Sequence, residues 1–267
     1  MARDSSTGQF VHRITYGDGG RQGLALHSWL AHAGAWKDMA AALQEPVRLT
    51  AFDLPGHGQS ADWDGTGDYT SLCAKIGAGL IGAAPVDLIG HSGGAVAALQ
   101  IALAMPERLR SLTLIEPVLF AAARGNPEAE EHAAFVSRFT ALLADGDKAG
   151  ATDFFTKLWG TGQQWSQMDA SRQAYMTERI HLIGAAMPLL SEDRAGLLEK
   201  GGLESLSLPA MIILGEKSPP VIRVIAETLA ARLPDVGLAE VPGAGHMLPI
   251  THPTQVAGLV DLNLTRD

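Results

Sequence analysis

Short apolar β-type runs that alternate with longer helical patterns predict an α/β protein, with a mostly parallel sheet covered by helices on both faces. Two further observations refine that class. Residues 119–205 carry helical patterns and no convincing strand, and one strand-to-helix junction holds a Gly-x-Ser-x-Gly pattern, Gly90-His91-Ser92-Gly93-Gly94. At 267 residues and 46% hydrophobic, the chain fits one domain carrying a sizeable insertion.

Taken in order, FVHRITY (10–16) alternates polar and apolar residues, as a half-exposed strand does. GLALHS (23–28), VRLTAFDL (47–54), PVDLIGHS (85–92), LRSLTLIEP (109–117), LPAMIIL (208–214) and VGLAEVPG (236–243) read as buried or partly buried strands. Helical stretches follow several of them, notably 93–105, 220–232 and 252–262. The interval 119–205 breaks the rhythm. Its segments EAEEHAAFVSRFTALLA and ASRQAYMTERIHLIGAAMPLL are rich in good helix formers, and it is too long for a simple connection. We therefore expect a core domain of residues 1–118 and 206–267, with 119–205 as a helical cap over the strand ends.

Composition excludes several functions. The net charge is −9 and no Lys/Arg block occurs, which argues against a nucleic-acid partner. The single Cys73 permits no internal disulfide and no cysteine metal cluster, and it reads as a small buried hydrophobe. No HExxH or comparable spacing points to a metal, and no pattern implies a cofactor. The start, MARDSSTGQF, lacks the apolar core of a signal peptide, and no apolar run reaches the roughly 18 residues of a membrane span. The expectation is a soluble, cytoplasmic protein acting on a small molecule; no pattern sets its oligomeric state.

A strand that turns at once into a helix forces the central residue of Gly-x-Ser-x-Gly into a strained conformation, and the flanking glycines relieve the crowding. Ser92 would then stand at the head of a helix, where N–H groups favour developing negative charge. A serine hydroxyl needs a base. Among nine histidines, His246 in VPGAGHMLP lies just past the last expected strand, where a loop can lean back toward Ser92. His57 sits in a Gly/Pro-rich turn and reads as turn structure. His91 reads as pointing away, and His132 and His181 read as surface or packing residues of the insertion.

The markers LALHSW (24–29), DLPGHGQS (53–60), GHSGG (90–94) and GAGHMLP (243–249) together resemble the α/β-hydrolase superfamily, near its single-domain esterase and C–C hydrolase branch. The resemblance covers most of the chain outside the cap. It implies an eight-stranded sheet, a helical cap and a Ser–acid–His set in that chain order. It also implies an oxyanion hole made by the backbone N–H groups of Trp29 and Gly93. Here the sequence departs from the family pattern, since Ser28 follows His27 where relatives usually carry glycine.

A second departure concerns the acid. In MIILGEKSPP (211–220), Ser218 stands where relatives often have aspartate, and a neutral serine cannot stabilise an imidazolium as a carboxylate does. Glu116, ending LTLIEP on the strand after the Ser92 helix, keeps the order Ser92, Glu116, His246; Glu216 is the alternative acid. Pro117 favours a sharp exit from the strand. Candidate pocket residues are His27, Ser28, Trp159 and Trp165. The leading reading is hydrolysis of a small or medium, largely uncharged ester, thioester or lactone through an acyl-serine. Alternatives are C–C bond hydrolysis or acyl transfer by the same three side chains, and a ligand-binding homologue without turnover.

Overall fold

The computed structural model describes residues 8–266, so residues 1–7 of the polar start and Asp267 at the end of the expected core domain lie outside the described residues. Seven strands form one sheet: β1 (Arg13–Tyr16), β2 (Arg21–Leu26), β3 (Val47–Phe52), β4 (Val86–His91), β5 (Leu109–Ile115), β6 (Ala210–Gly215) and β7 (Val236–Val241). This corrects the eight strands implied by the resemblance to seven among the described residues, the number of β-type runs read along the chain. Ahead of β1, the carbonyls of Phe10 and His12 accept from Ala61 N and Asp53 N, so this segment pairs with the loop after β3 without adding a strand.

The helices are α1 (Lys37–Ala42), α2 (Tyr69–Leu80), α3 (Gly93–Ala104), α4 (Pro127–Ala144), α5 (Lys148–Trp159), α6 (Ala170–Glu192), α7 (Pro220–Ala230), α8 (Leu248–Thr251) and α9 (Pro253–Leu264). Their starts follow local chemistry. Asp68, Asp147 and Asp169 accept the N–H groups of Ser71, Gly150 and Arg172, capping α2, α5 and α6. Pro127, Pro220 and Pro253 open their helices, where a missing N–H costs nothing. The interval 119–205 contains α4, α5, α6 and short 3-10 turns, and no strand among the described residues. Among the described residues, no helix is long and apolar enough to cross a membrane.

The strands lie in the order β1-β3-β2-β4-β5-β6-β7, with only β1 antiparallel to its neighbour. Their side chains alternate between two apolar layers. Leu24, Leu26, Leu88, Leu112, Leu114, Ile212 and Leu214 pack with α2, α3 and α7. Ala25, Ile89, Ile115, Met211 and Ile213 pack with α1, α8 and α9. The apolar residues of α4, α5 and α6 belong to the first layer, so they share one core with the sheet. At the opposite end from the site, the fully buried Asp87 accepts from Arg21 Nε (2.7 Å) and Nη2 (2.8 Å), Arg110 Nη2 (2.7 Å) and Ser111 Oγ (2.7 Å).

Topology places the site. From β2 the chain goes to β3 on one side and then crosses to β4 on the other. The carboxyl ends of β2 and β4 therefore form a switch point, where an α/β sheet opens a crevice. The loops after β2, β4, β5, β6 and β7 all gather at that edge.

Candidate active site

Ser92 follows β4 and stands immediately before α3 with φ 58° and ψ −121°, a conformation that non-glycine residues rarely adopt. Two neighbouring glycines make the turn feasible. A Cβ on Gly90 would lie 2.4 Å from the Gly94 carbonyl oxygen, and one on Gly94 would lie 2.4 Å from the Leu26 carbonyl oxygen. The loop after β2 thus rests directly on the start of α3, and the Trp29 ring lies against Gly93.

His246, in the loop after β7, is 4% exposed. The Ser92 hydroxyl donates to His246 Nε2 at 2.9 Å, and His246 Nδ1–H donates to Glu116 Oε2 at 2.9 Å. A carboxylate only accepts, which assigns the imidazole proton to Nδ1 and leaves the Nε2 lone pair facing the serine. Glu116, at the tip of β5, is fully buried and has φ 51°. Its other oxygen, Oε1, accepts from Gly215 N (2.7 Å) and from the Ser218 hydroxyl (2.8 Å). Ser218 is therefore a donor to the acid that lies on the adjacent strand tip. Glu216 is exposed and accepts from Gly243 N at 2.6 Å, and it makes no hydrogen bond to His246 among the described residues.

The remaining histidines near this edge hold loops. His91 Nε2–H donates to the His246 carbonyl at 2.9 Å, tying the β4 end to the His246 loop. His27 and His57 form a crossed pair. His27 Nε2 accepts from Leu54 N (3.0 Å) while its Nδ1–H donates to the Ser28 carbonyl (2.8 Å). His57 Nε2 accepts from Leu30 N (3.0 Å) while its Nδ1–H donates to the Pro55 carbonyl (3.0 Å). Burial drives His27 down to about 4, His91 to about 3 and His57 well below its ordinary value, so all three rings are neutral at pH 7.

Two cavities meet here. A narrow apolar pocket of ≈ 20 Å³ is lined by Ser92, His246, Trp29, Val118, Phe120, His132, Phe135, Trp159 and neighbouring apolar side chains. An outer cavity of ≈ 600 Å³ lies between the loop after β2 and helices α5 and α6, with Met168, Arg172, Tyr175 and Met247 among its walls. Trp29, Phe155 and Trp159 border both. Of the candidate pocket residues, Trp159 lines both cavities, its ring 4.7 Å from that of His246 and nearly perpendicular to it. His27, Ser28 and Trp165 line neither. The His27 ring is committed to the two loops, the Ser28 hydroxyl lies 3.9 Å from Met247 Sδ, and Trp165 packs half-buried against the core. His132, which the sequence offers as a surface or packing residue, packs on Phe120 and also lines the serine pocket.

Helix α6 is tied to this edge by one side chain. The Tyr175 hydroxyl donates to the Ala31 carbonyl and accepts from Gly58 N, both at 2.9 Å.

Residues 24–259 match the Alpha/beta hydrolase family. The chain is 30% identical over 243 residues to a pimeloyl-acyl-carrier-protein methyl ester esterase of Xanthomonas campestris pv. campestris, covering 88% of this chain and 91% of that one. A Methylococcus capsulatus protein of the same name is 29% identical over 253 residues, covering 90% and 93%. A solved alpha/beta hydrolase from Sphaerobacter thermophilus superposes with a TM-score of 0.74 at 20% identity, over 99% of both chains, a likeness of fold alone.

Proposed function

We propose that this chain, which belongs to the alpha/beta hydrolase family, is a serine esterase that cleaves a small or medium, largely uncharged ester through an acyl-serine intermediate. The observation that carries this reading is the unbroken hydrogen-bonded path from the Ser92 hydroxyl through His246 to Glu116. Ser92 Oγ attacks the acyl carbonyl while His246 Nε2 takes its proton, and Glu116 orients the ring and stabilises the imidazolium. His246 then protonates the departing alkoxide. Water, activated by the same ring, releases the acid.

The negative oxygen of the tetrahedral intermediate is held by the backbone N–H groups of Trp29 and Gly93. Two features support that assignment: Gly93 opens α3, whose N-terminal dipole favours an anion, and the Trp29 loop packs on Gly93 itself. Loss of one such donor raises the barrier by roughly 3–4 kcal/mol. Residues 119–205 act as a cap, with α5 and α6 walling the outer cavity through which the ester reaches Ser92. The esterase names of the curated relatives support an ester as the scissile group.

The test is a short-chain chromogenic ester together with a serine-directed phosphonate. Labelling at Ser92 and turnover are expected, and Ser92→Ala abolishes both. Glu116→Gln lowers kcat by roughly 1,000- to 10,000-fold while the fold survives, whereas Glu216→Gln stays within about twofold of the parent because its carboxylate lies outside the path. A dead Glu216→Gln beside an active Glu116→Gln would overturn the assignment of the acid.

A further inference from the structure

The loop after β2 carries a strained residue. Ser28 to Ala31 form a four-residue turn, closed by the Ala31 N–H donating to the Ser28 carbonyl at 3.1 Å. Leu30, the third residue of that turn, has φ 63°. Glycine or asparagine ordinarily fills such a position, because a bulky side chain crowds the backbone there. A turn of this kind persists only where its surroundings hold it.

Three side chains hold this one. His57 Nε2 accepts the Leu30 N–H at 3.0 Å, His27 Nδ1–H donates to the Ser28 carbonyl at 2.8 Å, and the Tyr175 hydroxyl donates to the Ala31 carbonyl at 2.9 Å. His57 is itself fixed. Its Nδ1–H donates to the Pro55 carbonyl at 3.0 Å, which also accepts from the hydroxyl of the fully buried Tyr69 at 2.8 Å. That bond sets the tautomer and leaves the Nε2 lone pair for Leu30.

The turn leaves one N–H unspent. Leu30 N and Ala31 N are both committed, whereas among the described residues nothing accepts from Trp29 N. The Trp29 N–H belongs to the same planar peptide as the Ser28 carbonyl and points the opposite way, so whatever fixes the carbonyl aims the N–H. The Ala31 bond to that carbonyl depends on the positive φ of Leu30, and the bond to His57 anchors Leu30 in place.

Resting on the esterase reading above and on Trp29 as an oxyanion donor, we propose that His57 is a positioning residue for the reaction: through Leu30 it holds the Ser28–Trp29 peptide so that the Trp29 N–H is aimed at the oxyanion.

The experiment compares His57→Asn with His57→Gln. His57→Asn keeps a donor for Pro55 and is too short to reach Leu30 N, while His57→Gln places an acceptor near the position of the imidazole Nε2. The readouts are kcat/KM for the short-chain chromogenic ester and inhibition by two ketones. Propyl trifluoromethyl ketone adds the Ser92 Oγ to its carbonyl carbon, passes the serine proton to His246 and leaves an oxyanion; propyl methyl ketone binds without that adduct. His57→Asn is expected to lower kcat/KM roughly 10- to 100-fold. It weakens the trifluoromethyl ketone by a similar factor and leaves the methyl ketone within about threefold, because only the adduct uses the oxyanion donors. His57→Gln stays within about fivefold of the parent in all three. Parent-like kcat/KM in His57→Asn overturns the proposal. Equal weakening of both ketones does so too, since it marks a merely structural role, as does a His57→Gln as impaired as His57→Asn. Should His57→Asn not fold, amide NMR of the parent carries the test. On forming the trifluoromethyl ketone adduct, the Trp29 amide proton moves downfield while the Leu30 amide stays protected from exchange; a Trp29 amide that does not move, or a freely exchanging Leu30 amide, overturns the proposal. Ester turnover with phosphonate labelling of Ser92 in the parent keeps the esterase reading standing in each of these events. Absence of both overturns that reading, and this inference with it.

Discussion

Ser218 illustrates how a departure at one residue is absorbed by its neighbours. A serine where the family resemblance leads one to expect an acid looks like a vacancy when only the sequence is read. In the folded chain its hydroxyl and the Gly215 N–H satisfy one oxygen of Glu116, leaving the other for His246. A hydrogen bond to a charged group contributes about 1.5–3 kcal/mol. Ser218→Ala is accordingly expected to lower kcat by roughly 10- to 100-fold, far less than Glu116→Gln, in a steady-state assay with the same ester. Since β5 and β6 are adjacent, a carboxylate on either tip approaches one imidazole. The double variant Glu116→Ala/Ser218→Asp should recover at least tenfold over Glu116→Ala; no recovery would mean that Ser218 is only a hydroxyl donor and cannot host the acid. The choice between Glu116 and Glu216 was open from sequence because each directly follows a strand. Their separation comes from which side of the strand tip each turns to, which depends on backbone φ, 51° at Glu116.

Among the elements, the β4–α3 junction was the most legible, because its demands are local. Gly90 and Gly94 are required by close approach of backbone carbonyls, and Ser92 carries the strained φ that the flanking glycines make room for. Gly94→Ala would drive a Cβ into the Leu26 and His27 carbonyls, a form of overpacking that costs roughly 1–3 kcal/mol. The expected result by calorimetry is a Tm lowered by about 2–4 °C for each kcal/mol, with kcat falling further because the Leu26–Trp29 loop shifts relative to Ser92. By contrast, α2 and α5 were not singled out in the sequence; glycines and threonines dilute their apolar pattern, and capping by Asp68 and Asp147 marks their starts more clearly than periodicity does. The tie of α6 to the core through Tyr175 was equally invisible, since a tyrosine on a half-buried helix carries no sign of what its hydroxyl reaches. Tyr175→Phe removes the donor to Ala31 and the acceptor for Gly58, and it should raise KM more than it lowers kcat. An unchanged KM would show that α6 holds its place without that side chain.

For the whole molecule, the buried neutral histidines make stability acid-sensitive. His27, His91 and His132 have folded values of about 4, 3 and 4, below the ordinary 6.5. Unfolding therefore takes up protons in that window. Their contribution is complete above pH 6.5 and is lost as pH falls toward 4 and 3, at up to about 1.4 kcal/mol per pH unit for each ring. Denaturant titrations at pH 7, 5.5 and 4.5 should show the loss, and His27→Asn, which keeps short-range hydrogen bonding without the titration, should flatten the slope. A pH-independent midpoint from 7 to 4.5 would contradict the neutral, loop-holding role of these rings. The crossed pair of His27 and His57 explains why the effect reaches the site: both rings must accept from backbone N–H groups of the loops after β2 and β3, and protonation removes the acceptor.

The order of serine, acid and histidine along the chain was implied by the family resemblance, whereas near-neighbour chemistry was enough to reveal the strand runs and the strained serine turn. Each of these depends on residues a few positions apart, through pleat geometry and steric room at the backbone. Contacts across 154 residues between Ser92 and His246, and across 130 between Glu116 and His246, are of another kind. They depend on the lateral order β4-β5-β6-β7, which sets strand tips side by side. That order settled which glutamate meets the imidazole, turned Ser218 into a donor, and put His132 and Trp159 at the pocket wall, because long-range packing rather than local propensity determines where a buried side chain ends.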